Sequence, residues 1–393
     1  MNRDKLMRGT DTIAPESELD EKLALDRPLR VKLGMDPTAP TVTLGWAVVL
    51  RKLRHFQEEG HTAVLIVGDF TAQVGDPSGK SATRKRLSAE EVRGYAANVL
   101  DGFRRVLLPE PLEIRYNSEW LEPLNMADVL ELTSSTTVAQ MLERDDFSKR
   151  TAASEPISML EFMYPLLQGY DSVAVEADIE LGGSDQLWNL LMGRAVQTRY
   201  GQPPQVAMTV PLLVGTDGVQ KMSQSLGNYI GVDDDASDMF GKVMSVSDSA
   251  MEQYFRLATE LEPAEIDAVL AGLNDGSLHP GHAKRKLART IVALYHDDAA
   301  AVEAEAAFDR VFVDHGLPDD IDDYPMAETD QVWLPGVLCD AGLVTSNGEG
   351  RRMIKQGAVR IDGGDAVTTE DFARAELVGR VVQVGKRRYI RLT

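Results

Sequence analysis

The run TAVLIVGDF at residues 62–70 constrains the fold more than any other stretch of the chain. Residues 63–67 are all apolar, without alternation, and the run stops at a Gly-Asp pair. A strand that is apolar on both faces belongs to a sheet covered on both faces, the situation of parallel sheets packed between helices. Upstream, LRVKLGMDPTAPTV reads as a short buried strand at 30–33 running into a Gly/Pro/Asp loop. Between the two, Val49, Leu53 and Phe56 recur at helical spacing, and the pattern ends near Gly60. Strand, helix and strand within about forty residues make a βαβ unit, so the fold class predicted is α/β with a parallel sheet.

The rest of the chain extends this pattern. Residues 89–107 are helical in pattern, LEIRYNSEWL supplies a strand and a turn, and helices dominate 136–194. VAMTVPLLVG returns to strand character before the loop TDGVQKMSQSLGN. A predominantly helical region at 235–312 follows, then HGLPDDIDDYPMAETD, which has linker composition. The last sixty or so residues form a mixed unit with short strands at AVRI, VVQVG and RYIRL. A length of 393 residues accommodates two or three domains.

Charge and cysteine content narrow the class. The net charge of −21 argues against nonspecific nucleic-acid binding by the whole surface. Residues 331–393 nevertheless hold ten Lys/Arg against seven Asp/Glu, whereas the remainder holds 31 against 55. The tail is therefore a small basic unit on an acidic body. Cys339 is the only cysteine, which excludes an internal disulfide or a cysteine metal cluster. The N-terminal MNRDKLMRGT has no apolar core of signal type, and no apolar run reaches the roughly eighteen residues of a membrane helix. The expectation is a cytoplasmic protein without membrane association.

Two segments invite a phosphate. GDPSGKS at 75–81 has three residues between its glycines where a P-loop needs four, so it is not one. It still places Lys80, Arg84, Lys85 and Arg86 on a Gly/Ser/Thr-rich stretch, which by itself is more often a solvated surface loop. PTVTLGWAVVL at 40–50 is a strand-to-helix corner, and a helix N-terminus presents free N–H groups to an anion. Gly45 there would admit a base close to the backbone, or would simply serve packing. DDD at 233–235 reads as a solvated helix start rather than a metal site, since no matching ligands converge.

DPTAPTVTLGW, GDFTAQVGDPSG, YPLLQGYDSVAVEADIELGGSDQLWN and KMSQS occur in an order that resembles the class I tyrosyl-tRNA synthetases, in the bacterial subgroup with a C-terminal S4-type RNA-binding domain. The resemblance implies an N-terminal helical segment at 1–29 and a Rossmann-like catalytic domain at 30–232, ending in the signature loop. It also implies a helical anticodon-side domain at 233–325 and an S4-like α+β domain at 331–393. It further implies ATP as substrate, with Mg2+ carried by ATP and no tightly bound cofactor, L-tyrosine and tRNA(Tyr) as partners, and a homodimer. Carried over by position, Asp171 would accept the tyrosine hydroxyl; a site built to bond that hydroxyl rejects phenylalanine by roughly 10⁴–10⁵. Asp76, Tyr164 and Gln168 would hold the ammonium, with Asn117 and Gln186 also in the amino-acid pocket. Thr38, Gly45, Trp46, Gly183, Asp185, Ser223 and Ser225 would line the ATP side. Lys80 and Arg84 would contact pyrophosphate and Lys221 the triphosphate. Arg351, Arg352 and Lys355 on one helix would contact RNA. Without the resemblance, Tyr164 and Asp171 are two residues on one helical face and GGSDQ is a turn with a helix cap.

The motifs also depart from the family. Its two catalytic histidines fall at Thr43 and Trp46, and its second signature lysine falls at Gln224. Losing one charge-stabilising donor typically costs ~10²–10³ in rate. A hydroxyl at Thr43 can still donate a hydrogen bond, whereas Trp46 is far bulkier than histidine. Lys32 falls where many members keep a tyrosine near the substrate hydroxyl. The sequence thus predicts a tyrosine-activating, tRNA-charging enzyme with an atypical and slowed adenylation site. Two alternatives stay open: a paralogue that binds tyrosine or RNA without turnover, and an activating enzyme that hands its amino acid to something other than tRNA.

Overall fold

The computed structural model describes residues 2–76, 88–312, 321–385 and 388–393. The chain forms two compact units, Met1–Asp298 and Ala299–Thr393. The first is built on a six-stranded sheet of β1 (Thr12–Ala14), β2 (Arg30–Met35), β3 (Thr62–Val67), β4 (Leu112–Tyr116), β5 (Ile179–Gly183) and β6 (Val206–Val210). Their order is β1-β6-β5-β2-β3-β4. All pairings are parallel except that of the edge strand β1 with β6.

The apolar run of the sequence becomes β3, buried throughout 63–67 and paired with β2 on one side and β4 on the other. The chain leaves β2, adds β3 and β4 outward, then returns to lay β5 against the free side of β2. This is a Rossmann-like order. Its reversal between β2 and β5 opens a crevice beyond their carboxyl ends, where such sheets bind ligands.

Four helices deliver residues to that crevice. The corner helix, Leu44–Glu58, is capped by Thr43. The helix Ala89–Arg104, expected at 89–107, starts on a reciprocal Ser88–Glu91 capping box. The pocket helix, Met159–Ala174, starts on a second such box, between Ser158 and Glu161. The helix Leu187–Arg199 follows the end of β5. Helices Ala236–Met244, Met251–Ala258, Pro263–Asp275 and Pro280–Tyr295, followed by Asp298–Phe312 at the start of the second unit, make up the helical region expected at 235–312. One difference lies in 1–29, expected to be helical: β1 sits inside it. Three residues of edge pairing leave no periodicity to read.

The second unit carries a four-stranded sheet of β7 (Asp323–Tyr324), β12 (Arg388–Leu392), β11 (Val381–Val384) and β9 (Val359–Ile361), in that order. A separate pair joins β8 (Gln331–Trp333) to β10 (Asp371–Ala373). Its core gathers Leu334, Leu338, Ile354, Val382, Ile390 and Leu392, contributed by helices Leu334–Asp340 and Asn347–Lys355 and by β11 and β12. The stretch at 315–330 with linker composition is partly structural: β7 pairs in parallel with β12, and Met326 is buried in this core. Backbone pairing needs no apolar side chains, so composition does not reveal it.

Candidate active site

Asp36 follows β2 directly, at the crevice. It accepts hydrogen bonds from Thr71 Oγ1 at 2.7 Å and Tyr164 OH at 3.0 Å. Thr71 in turn accepts from Asn117 Nδ2 at 2.9 Å, and Asn117 Oδ1 takes the backbone N–H of Phe70 at 3.0 Å. Gly68 makes this possible: a methyl group there would collide with Asp36 Oδ1 and Thr71 Oγ1. Burial pushes the Asp36 carboxyl up to about 7, against the opposing effect of its hydrogen bond from Thr71. Burial likewise raises the Tyr164 hydroxyl well above its ordinary value, with Asp36 adding to the rise.

Asp171 lies two turns further along the pocket helix and is only 3% exposed. Its Oδ1 accepts from Trp120 Nε1 at 2.8 Å and its Oδ2 from Asn117 Nδ2 at 3.3 Å. Each oxygen keeps a lone pair for a further donor. Burial pushes this carboxyl up to about 6, while the nearby Lys32 ammonium and the two hydrogen bonds pull it back toward ionisation. Tyr164 and Asp171, on the same helical face, do not pair with each other; each finds its partners across the crevice.

Asp76 accepts from Gln186 Nε2 at 3.0 Å and lies 3.8 Å from the buried Arg144 guanidinium. Gln186 Oε1 accepts from Asn189, which accepts from Arg144. Gln168 donates its amide nitrogen to Glu180 at 3.1 Å. Asp36, Asp76, Asn117, Tyr164, Gln168, Asp171 and Gln186 are thus tied into hydrogen-bonded clusters along the carboxyl edge of β2, β3, β4 and β5. Lys32 does not reach toward a substrate hydroxyl. Its three N–H groups are taken by Gln168 O at 2.9 Å, Ser172 Oγ at 2.8 Å and Glu180 Oε1 at 2.9 Å.

The nucleotide side is assembled from the corner and the signature loop. Thr43 Oγ1 accepts from the backbone N–H of Trp46 at 3.4 Å, so its oxygen serves as the helix cap. The backbone N–H of Gly45 donates to Met222 Sδ at 3.3 Å, and a methyl group at Gly45 would sit at ordinary contact distance from Met222 and Thr43. Gly45 therefore faces the signature loop in this arrangement. Gln224 Nε2 donates to Thr41 O, and Leu44 N–H donates to Ile230 O at 2.8 Å, so the loop is fastened to the corner at several points. Trp46 leans toward Phe103 with ring centroids 6.5 Å apart. With Asp36, Thr38 and Gln224 it walls a recess of about 30 Å³, room for a couple of waters. Gly183 closes β5, and Asp185 beyond it accepts from Lys221 Nζ at 2.9 Å. Ser223 and Ser225 bond each other at 2.9 Å. Lys80 and Arg84 lie outside the described residues. Asp234 of the DDD stretch is occupied by Lys242 at 2.7 Å and the Gly231 N–H at 2.8 Å, as a helix start would have it.

Three contributors escaped the sequence reading: Asp36, Thr71 and Trp120. The Asp-Pro that ends β2 and the Asn-x-x-Trp spacing, which puts two side chains on one face, are the signals that point to them.

A family model for tRNA synthetases class I (W and Y) matches residues 24–313. A tyrosine–tRNA ligase from Moorella thermoacetica is 52% identical over 391 residues, spanning 98% of this chain and 94% of that protein. One from Geobacter sulfurreducens is 49% identical over 393 residues, spanning 99% and 97%. In structure, the Archaeoglobus fulgidus tyrosyl-tRNA synthetase complexed with L-tyrosine superposes with a TM-score of 0.63 over 76% of this chain and 99% of that one, at 22% identity, a likeness of fold. The chain belongs to the class I tRNA synthetases (W and Y), among the tyrosine–tRNA ligases.

Proposed function

We propose that this chain activates L-tyrosine with ATP and transfers the tyrosyl group to tRNA(Tyr), in the cytoplasm and as a homodimer. The observation that carries the reading is the buried Asp171 carboxylate, held between Trp120 and Asn117 with acceptor capacity to spare. An aromatic amino acid bearing a hydroxyl donor satisfies it; phenylalanine leaves it unmet. Asp76, Tyr164 and Gln168 would take the ammonium, and Asn117 and Gln186 would complete the amino-acid side.

In the first step a tyrosine carboxylate oxygen attacks the α-phosphorus, and the bond from that phosphorus to the pyrophosphate oxygen breaks. No proton need be removed, so the residues position the reactants in line and stabilise charge on the leaving group. Lys221, Lys80 and Arg84 supply cations there, and Mg2+ arrives with ATP. Thr38, Thr43, Gly45, Trp46, Gly183, Asp185, Ser223 and Ser225 would border the nucleotide. In the second step a hydroxyl oxygen of the terminal tRNA ribose attacks the tyrosyl carbonyl carbon, the bond from that carbon to the phosphate oxygen breaks, and AMP leaves with the hydroxyl proton passing to its phosphate or to water.

The corner supports slow adenylation. The Thr43 hydroxyl accepts the cap hydrogen bond and keeps its hydrogen to donate, and the Gln224 amide donates to Thr41 O, but neither group carries the charge of a cation. Arg351, Arg352 and Lys355 on the helix Asn347–Lys355 are exposed and would meet RNA, with Arg351 also engaged by Glu370 at 2.9 Å. Dimerisation is supported by Met126, Leu130, Val138 and Met159, which are 63–74% exposed in one stretch of the first unit.

Tyrosine-dependent exchange of labelled pyrophosphate into ATP tests the reading, beside Thr43→His/Trp46→His. Exchange by the natural chain, raised in the double variant, is expected. Tyrosine binding without exchange in either protein would sink it in favour of a non-catalytic binder. Exchange without charging of tRNA(Tyr) would favour a different acceptor.

A further inference from the structure

We propose that the buried Lys32–Glu180 ion pair is a positioning device that fixes the amide of Gln168 with its carbonyl oxygen toward the amino-acid site. Recognition of the substrate ammonium then depends on two residues that never touch it. The inference rests on the reading that Gln168 faces an amino acid.

Lys32 and Glu180 sit opposite each other in register on β2 and β5, and neither is exposed to solvent. The Lys32 ammonium has three hydrogens and three partners: Gln168 O, Ser172 Oγ and Glu180 Oε1. Glu180 Oε1 accepts from Lys32 at 2.9 Å and Gln168 Nε2 at 3.1 Å. Its Oε2 accepts from Ser172 Oγ at 3.2 Å and from Gln205 Nε2. A methyl group at Gly193 would collide with Gln205 Nε2, so the network is closed tightly on that side.

The orientation of Gln168 follows from this chemistry. An ionised carboxylate has no hydrogen to give, so only the nitrogen of the Gln168 amide can face Glu180. Its oxygen must then point away. That Oε1 is buried and has no hydrogen-bond partner among the described residues. A buried acceptor held without a donor is unfavourable until a ligand supplies one, and an ammonium is a donor on every side. Stability alone does not call for the pair, because apolar residues of similar volume often replace a buried ion pair without loss. With the charges removed, Gln168 is free to turn its amide over and offer hydrogens to a cation.

The test measures binding of L-tyrosine and of 3-(4-hydroxyphenyl)propanoate, which keeps the phenol and carboxylate but lacks the ammonium. Calorimetry would compare the natural chain, Lys32→Met/Glu180→Met, and Glu180→Gln, which puts an amide able to donate opposite Gln168. The natural chain should prefer tyrosine. In both variants that preference should fall about tenfold or more, through weaker tyrosine binding, with the desamino acid bound as before. If the double variant does not fold, Glu180→Gln decides alone. An undiminished preference overturns the proposal, as does equal weakening of both ligands, which would make the pair a support for pocket shape. Failure of the underlying reading looks different: the natural chain itself would bind the two compounds alike.

Discussion

Two carboxyls with raised proton affinity set the behaviour of single residues. Burial pushes Asp171 up to about 6 and Asp36 up to about 7. Accepting a phenolic hydrogen needs Asp171 ionised, so tyrosine affinity should climb as pH rises through about 6 and then level off. Stability runs the other way. Between about pH 4 and 7 the folded chain holds protons on these carboxyls that the unfolded chain has released, so this contribution to stability falls as pH rises across that window. Calorimetric titrations and urea midpoints at matched pH values from 5 to 8 check both signs. Trp120→Phe removes one of the two donors to Asp171 while keeping most of the packed area. It should weaken tyrosine binding about tenfold and move the pH midpoint upward, with little change in phenylalanine binding; unchanged tyrosine affinity would leave the indole no such part. The resemblance named both Asp171 and Asn117, and the structure brings the two side chains together. Asp36, Thr71 and Trp120 left only local signals, and Glu180 none, because each acquires its role from a partner 35 to 148 residues away, and one chain read in order does not show which side chains meet.

At the scale of the element, the corner helix is fixed at both ends by different chemistry. Its start is capped by Thr43 and fastened to the signature loop. Its later turns carry Arg51, Lys52 and His55, all buried. Arg51 meets Glu260 at 3.1 Å, and Lys52 donates to Leu6 O at 2.8 Å and to Arg8 O, which ties down the short helix Arg3–Met7. Burial, with the Arg8 charge nearby, lowers the Lys52 ammonium to about 7. Lys52→Met should cost about 2 kcal/mol, because it leaves two carbonyls without their donor. The natural chain should gain stability relative to the variant's baseline between pH 7 and 10, since the unfolded lysine still binds a proton that the folded one has released. Chemical denaturation at pH 7 and 9.5 measures both. The helix itself was readable from its apolar spacing, but the buried cations on it were not. An arginine and a lysine at 51 and 52 show nothing in the sequence of the carbonyls that receive them, which lie on distant segments.

At the scale of the whole molecule, the basic excess seen in the sequence is confined to part of the second unit, because 299–330 at its start is acidic and the excess begins at 331. The second unit has its own core, and 331–393 holds an excess of Lys/Arg over Asp/Glu while the rest is strongly acidic. Every described residue assigned to the amino-acid and nucleotide sites lies in the first unit, whose sheet supplies the crevice. Adenylation should therefore be separable from RNA binding. A chain ending after Phe312 keeps the whole first unit and removes the basic tail. It should bind tyrosine and catalyse pyrophosphate exchange within about twofold of the full chain, since interactions in independent places add. Its charging of tRNA(Tyr) should fall by at least tenfold, chiefly through a raised KM for the tRNA. In the full chain that KM should climb steeply with salt, because cations on the tail would displace counterions from phosphates. Arg352→Glu/Lys355→Glu should reproduce part of the loss with exchange intact. A truncated chain that charges tRNA as well as the full one would place RNA recognition on the acidic body, where the phosphate contacts would have to be made against the overall field.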